Sequence, residues 1–181
     1  MFVTNGFMSR QAVEDAAAWL DAANVDLKAW SDDFYRETCS GRLKPVCDTI
    51  GHMKRLGIWV EVTTLVIPGS NDSEEDLAGI ANFIASVDPE IPWHISRFHP
   101  DFHFDHQQST PVETLMRAAD LGRKAGLKYV YIGNVAGPQD TVCPECGRVV
   151  VQRTPGGVRA VLLEKGRCPH CGAEIAGKWT A

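Results

Sequence analysis

Apolar residues follow two rhythms along the first 135 positions, and the rhythms alternate. Phe2-Val3-Thr4 is a short strand that runs into the turn signal Asn5-Gly6. Ser9 is placed to cap the next segment, where Val13, Ala16, Ala17 and Leu20 share one helical face. Val25-Asp26-Leu27 reads as a second strand, and Ser31-Asp32-Asp33 opens a short helix with negative charge in its first turn. Pro45 suits the first position of a further helix, which carries Val46, Ile50, Met53 and Leu56 inward and stops at Gly57. Residues 58–67 form the longest strand, rich in β-branched side chains and ended by Pro68-Gly69. Ser73 and three acidic residues start a helix with Leu77, Ile80, Ile84 and Val87 inward. A strand over 93–98, a helix over 111–125 and a strand over 129–132 complete the series.

Strand and helix in strict alternation predict a parallel sheet with crossover helices, an α/β fold. After Gly133-Asn134 the texture changes: glycine and proline become frequent, helical periodicity stops, and paired cysteines appear. A boundary near Gly137-Pro138 divides the chain into residues 1–137 and 138–181.

The second segment has the more specific signal. Cys143-Pro144-Glu145-Cys146-Gly147 and Cys168-Pro169-His170-Cys171-Gly172 are near-copies, with twenty-one residues between Cys146 and Cys168. In each, two thiolates three positions apart and a glycine free to take positive φ make a tight turn around one centre. Residues 149–152 and 158–163 suit a connecting hairpin with Gly156-Gly157 in its turn. Four thiolates without a spare ligand describe a closed, structural tetrahedral site, a zinc ribbon. Iron in a rubredoxin-like cage is the rival occupant. His170, between two ligands, is read as a solvated turn residue, and Cys39 and Cys47 as small buried hydrophobes.

Composition narrows the function classes. Of 181 residues, 44% are hydrophobic and 23% charged, the balance of a globular protein, and no apolar run is long enough to span a bilayer. The start of the chain lacks the basic and apolar regions of a signal peptide, so a cytoplasmic location is the default. A formal charge of −5 with scattered basic residues argues against a nucleic-acid partner.

In parallel sheets and barrels the working residues gather where strands end. That rule selects Thr4-Asn5-Gly6, Asp26 with Lys28, Thr63 and Thr64, Pro68-Gly69 and residues 96–99. A carboxylate, an ammonium, hydroxyls and an imidazole at one mouth suit a polar ligand. Asp26 and Lys28 also share a strand face, so a simple ion pair stands beside the ligand role. His94 is expected as a satisfied core histidine, Arg97 as a surface ion-pair partner, and His103 and His106 as loop residues.

The ordered series Thr4-Asn5-Gly6, Val25-Asp26-Leu27-Lys28, Val66-Ile67-Pro68-Gly69-Ser70-Asn71-Asp72 and Phe98-His99-Pro100 resembles radical SAM activating enzymes related to pyruvate formate-lyase activase. Residues 93–100, residues 129–135 and the two knuckles resemble more closely the radical SAM protein of the AmmeMemoRadiSam system. The resemblance implies a partial (β/α) barrel binding S-adenosylmethionine, with Asp26, Lys28 and His99 at the ribose, Thr4 near the methionine end and Thr63 facing the pocket. It implies reductive cleavage of S-adenosylmethionine at a 4Fe-4S cluster and hydrogen abstraction by the resulting 5′-deoxyadenosyl radical. A protein or small-molecule substrate, and other AmmeMemoRadiSam components as partners, are implied with it.

One departure matters. The family's cluster loop, Cys-x3-Cys-x2-Cys, and its Gly-Gly-Glu segment have no counterpart here, and Cys39 and Cys47 cannot replace three thiolates in one short loop. The expectation is therefore the C-terminal portion of a longer enzyme, lacking the first barrel strands and inactive alone. The alternative is a zinc-ribbon interaction module on an α/β scaffold without catalysis.

Overall fold

A computed structural model describes residues 1–101, 107–137, 139–154 and 156–179. The chain divides into two compact units, Met1–Asn134 and Val135–Ala181. The first contains β1 (Phe2–Thr4), α1 (Arg10–Ala17), β2 (Ala22–Asp26), α2 (Asp32–Cys39), α3 (Leu43–Arg55), β3 (Trp59–Val66), α4 (Glu74–Val87), β4 (Trp93–Arg97), α5 (Val112–Lys124) and β5 (Val130–Gly133). All strand pairs are parallel, and the sheet order is β1-β2-β3-β4-β5.

That order determines how the sheet is covered. Each strand lies beside the one before it, so right-handed crossovers all carry their helices to the same face. Burial alternates accordingly. Ala23 and Val25, Val60, Val62, Thr64 and Val66, and Trp93 and Ile95 are all buried. The intervening Asn24 and Asp26, Glu61 and Thr63, and His94 and Ser96 are half-buried. One face of the sheet is thus the hydrophobic core and the other carries polar chemistry.

Local signals explain the elements. Ser9, Ser31 and Ser73 each accept a backbone N–H at the start of α1, α2 and α4. Helix α3 begins two residues earlier than its proline suggests, at Leu43, which puts Pro45 third. Arg42 at its N-cap makes no side-chain cap; Asp32 of α2 substitutes, accepting the Leu43 N–H at 2.9 Å. Pro45 still falls in the first turn, where a missing N–H costs nothing. Val46, Ile50 and Met53 are fully buried as their spacing predicts, whereas Leu56 at the C-cap is 40% exposed.

The second unit is a three-stranded antiparallel sheet, β6 (Thr141–Val142), β7 (Val149–Thr154) and β8 (Gly157–Val161), in that order. Its apolar interior is small: Val150, Val151 and Ile175 are buried with Cys143 and Cys168. Trp179 closes one side, its indole N–H donating to the Ile175 carbonyl at 2.7 Å. Gly166 and Gly177 make room for the ring; a Cβ on either would approach it to 3.0 or 2.8 Å.

Candidate functional site

The two cysteine turns have the same backbone geometry. Cys143 N–H donates to the Arg148 carbonyl at 2.8 Å and Gly147 N–H to the Cys143 carbonyl at 2.8 Å. Cys168 N–H donates to Ala173 at 2.8 Å and Gly172 N–H to Cys168 at 2.9 Å. Gly147 and Gly172 have φ of 70° and 75°, the left-handed conformation that closes each turn. All four sulfurs lie within 4.8 Å of one another. The Cys143–Cys171 and Cys146–Cys168 separations are 3.6 and 3.7 Å. A tetrahedral ion with bonds of about 2.3 Å to sulfur requires edges of about 3.8 Å. The donor set fits a metal ion.

The electrostatics of the thiols favour one as well. Burial opposes ionisation of Cys168, but the backbone N–H groups of His170 and Cys171 and the adjacent thiols outweigh it and bring the group down to about 7. For Cys171 the Ala173 N–H favours the thiolate, yet loss of water and the three neighbouring sulfurs prevail and push it up to about 12. Four negative sulfurs this close cannot all ionise without a cation between them. His170 is exposed, and its Nδ1 meets the Arg148 guanidinium at 2.9 Å, linking the two turns.

In the α/β unit the strand ends are joined by three buried polar side chains. Asn71 Oδ1 accepts the Ile67 N–H at 2.6 Å, and its amide nitrogen donates to the carbonyls of Leu65 and Lys28. The Thr64 hydroxyl donates to the Leu27 carbonyl at 2.8 Å and accepts the Trp93 indole N–H at 3.0 Å. Thr110 donates to the Val66 carbonyl at 2.6 Å and accepts the Phe98 N–H at 3.0 Å. These bonds fix the rim from β2 to β4.

The strand-end candidates separate on that rim. Asp26 and Thr63 are register partners on the polar face. Lys28 Nζ lies 3.0 Å from Asp26 Oδ2, with both side chains about a third exposed. The Thr63 hydroxyl donates to Asn24 Oδ1 at 2.8 Å. Thr4 pairs in register with Val25, on the opposite face from Asp26, and its hydroxyl accepts the Gly6 N–H at 3.1 Å. His99 is exposed just past β4. Arg97 donates from Nε to the Thr110 carbonyl at 2.8 Å, which braces the rim. His94 is satisfied, but on the polar face and not in the core: Nε2 lies 2.7 Å from Glu61 Oε2, and its ring stacks on Tyr131 at 5.2 Å. His103 and His106 fall outside the described residues.

A cavity of about 520 Å³ opens beside the Asp26–Lys28 pair. Asn5, Lys28, Leu65 and Ile67 bring it to the strand ends, and Phe7, Phe34 and Tyr35 wall it. Cys39 borders it, but Cys47 lies on α3 away from it, where burial pushes its thiol up to about 12. One bordering thiol cannot hold a 4Fe-4S cluster, so the described residues of this unit do not fit that group. The carboxylate–ammonium pair at the rim does fit a polyhydroxylated ligand, since a carboxylate accepts from adjacent hydroxyls while the ammonium donates.

No family model matches the chain. An uncharacterised protein of Methanocaldococcus jannaschii is 41% identical over 180 residues, which is 97% of this chain and 53% of that protein. The isethionate sulfite-lyase activating enzyme of Oleidesulfovibrio alaskensis is 28% identical over 96 residues, 50% of this chain and 31% of the enzyme. The chain therefore spans about half the length of the first relative and about a third of the second. Among solved structures, a domain of a pyruvate-formate lyase-activating enzyme from Bacteroides vulgatus aligns with a TM-score of 0.64 at 18% identity, over 74% of this chain and 80% of that one. A radical SAM methyltransferase from Sphaerobacter thermophilus aligns at 0.54 and 19%, over 72% of this chain and 39% of that one. The parallel sheet with its one-sided helices shares the fold of these two structures, and it is followed by a small four-cysteine ribbon able to hold a metal ion.

Proposed function

We propose that the α/β unit is the S-adenosylmethionine-binding portion of a radical SAM enzyme of the activating type, in the AmmeMemoRadiSam lineage. In this reading the thiolates for its 4Fe-4S cluster come from outside this sequence. The observation that carries it is the polar rim at the carboxyl ends of a sheet with a radical SAM-like fold. Asp26, Lys28 and His99 hold the ribose hydroxyls, Thr63 flanks Asp26, and Thr4 shapes the turn beside the methionine end. When bound, the cluster and S-adenosylmethionine supply reductive bond cleavage and hydrogen abstraction. This chain's part is to bind and orient the nucleoside and to exclude water. Zinc fills the ribbon as a structural ion, and the enzyme works in the cytoplasm.

Titration calorimetry with S-adenosylmethionine tests the reading. Binding is expected, and Asp26→Asn should weaken it about tenfold, as expected for loss of a hydrogen bond to a charged group. Anaerobic treatment with iron and sulfide should give no cubane absorption from this chain. A second reading, a ribbon that docks a protein partner on a non-catalytic scaffold, draws on the exposed Val158, Val161 and Leu162. No affinity for S-adenosylmethionine, with folding intact, would favour it.

A further inference from the structure

We propose that the cavity beside the Asp26–Lys28 pair binds a small carboxylate with an apolar, ring-sized body, and that Tyr35, Asn5 and Lys28 recognise its oxygens. This adds a substrate class to the function proposed above and rests on that reading only for its link to catalysis.

The walls and the polar groups point to the same ligand. A volume of about 520 Å³ lies in the range of small-molecule sites, and the position at strand ends is where α/β sheets bind ligands. Leu65, Ile67 and Val46 give it apolar surface. Phe7 is 52% exposed, and its ring lies beside Gly41, 3.6 Å from where a Cβ there would stand. Phe7, Phe34 and Tyr35 supply the aromatic wall.

The polar lining can be sorted by what is already spent. Asn71 uses its carbonyl and its amide on backbone groups, so it is scaffold. The Tyr35 hydroxyl accepts the Lys28 N–H at 2.9 Å, which leaves its own hydrogen to donate. Tyr35 is 3% exposed, and burial raises its phenol well above the usual range, so the proton stays in place. Asn5 spends its carbonyl on Phe7 and keeps its amide hydrogens. Lys28 gives one N–H direction to Asp26 and has two others. Each of these three groups has donors left, and one of them is cationic. A ligand that brings acceptors complements them, and the Lys28 ammonium, although paired with Asp26, favours one that carries negative charge.

The probe is phenylacetate, titrated into the full, metal-loaded chain with labelled methyl groups. Saturable shifts are expected at Val46, Leu65 and Ile67, with none at Ile175 in the ribbon. The cationic isostere 2-phenylethylamine should bind at least about tenfold more weakly. Tyr35→Phe should weaken phenylacetate by about tenfold. Because that variant also strips an acceptor from the Lys28 N–H, Phe7→Ala is the second variant: it removes an exposed wall and should weaken binding severalfold without changing the unfolding midpoint. Absence of saturable methyl shifts, equal binding of the amine, or undiminished binding by Phe7→Ala would overturn the proposal. Shifts of the Asp26 and Thr63 amides on adding S-adenosylmethionine are read separately, so failure of one reading does not mimic failure of the other.

Discussion

The two units of this chain are held together by opposite means. The α/β unit buries large side chains such as Trp93, Ile50, Leu77 and Ile95 completely. Among its described residues the ribbon buries Val150, Val151, Ile175, Thr141 and two cysteines, too little apolar surface for about 45 residues to fold unaided. One unit is stabilised by burial spread over many residues, while the other gathers four thiols able to hold a metal ion at one point. Their responses to damage should differ in kind.

The largest effect is expected at the metal. Structural zinc contributes on the order of 10 kcal/mol to the folding of small cysteine domains. Cys146→Ser should release one metal ion per chain and collapse the amide dispersion of the ribbon. The methyl signals of Ile50, Ile80 and Ile95 should stay where they are. If those signals collapse as well, the two units are not independent.

A smaller effect, confined to the other unit, is expected at the rim. Asn71→Ala strands the Ile67 N–H and takes a donor from two carbonyls in a buried setting. A loss of roughly 1–3 kcal/mol should follow, read from denaturant unfolding of the α/β unit, with metal content unchanged.

The smallest effect is expected from pH. Burial acts against ionisation of Asp88, but Lys54 at 2.8 Å and the Glu90 N–H outweigh it and hold its carboxyl below the usual range. Its contribution is therefore complete above the unfolded carboxyl value and is lost as pH falls through the lower, folded one. Stability of the α/β unit should drop as pH falls from 5 towards 3, and Asp88→Asn should flatten that drop by at most about 1 kcal/mol. A steeper acid loss in the variant would reverse the assigned sign.

Much of this arrangement is legible in the sequence because it is local. The serine caps, the apolar faces of α1, α3 and α4, and the two cysteine turns are each decided within a few residues. What is not legible acts over distance. The start of α3 is set by Asp32, eleven positions away, and the rim depends on bonds from Asn71 and Thr110 to residues forty or more positions earlier. Strand β6 is two residues long and has no pattern to read. Placing His94 in the core fails because alternation gives the side of a strand but not which side the helices cover. The cavity draws its lining from several separate segments, so only the fold assembles it.

The alternation on β3 has a further consequence for how such a protein can vary. Val60, Val62, Thr64 and Val66 belong to the core, while Glu61, Thr63 and Leu65 lie between them on the other side. Inserting or deleting one residue before Val60 would exchange the two sets, exposing the valines and forcing a carboxylate under the helices. The polar face can therefore change its chemistry by replacement in place, but not by a change of length within a strand. New length has to enter beyond the strand ends, in the segments that surround the rim.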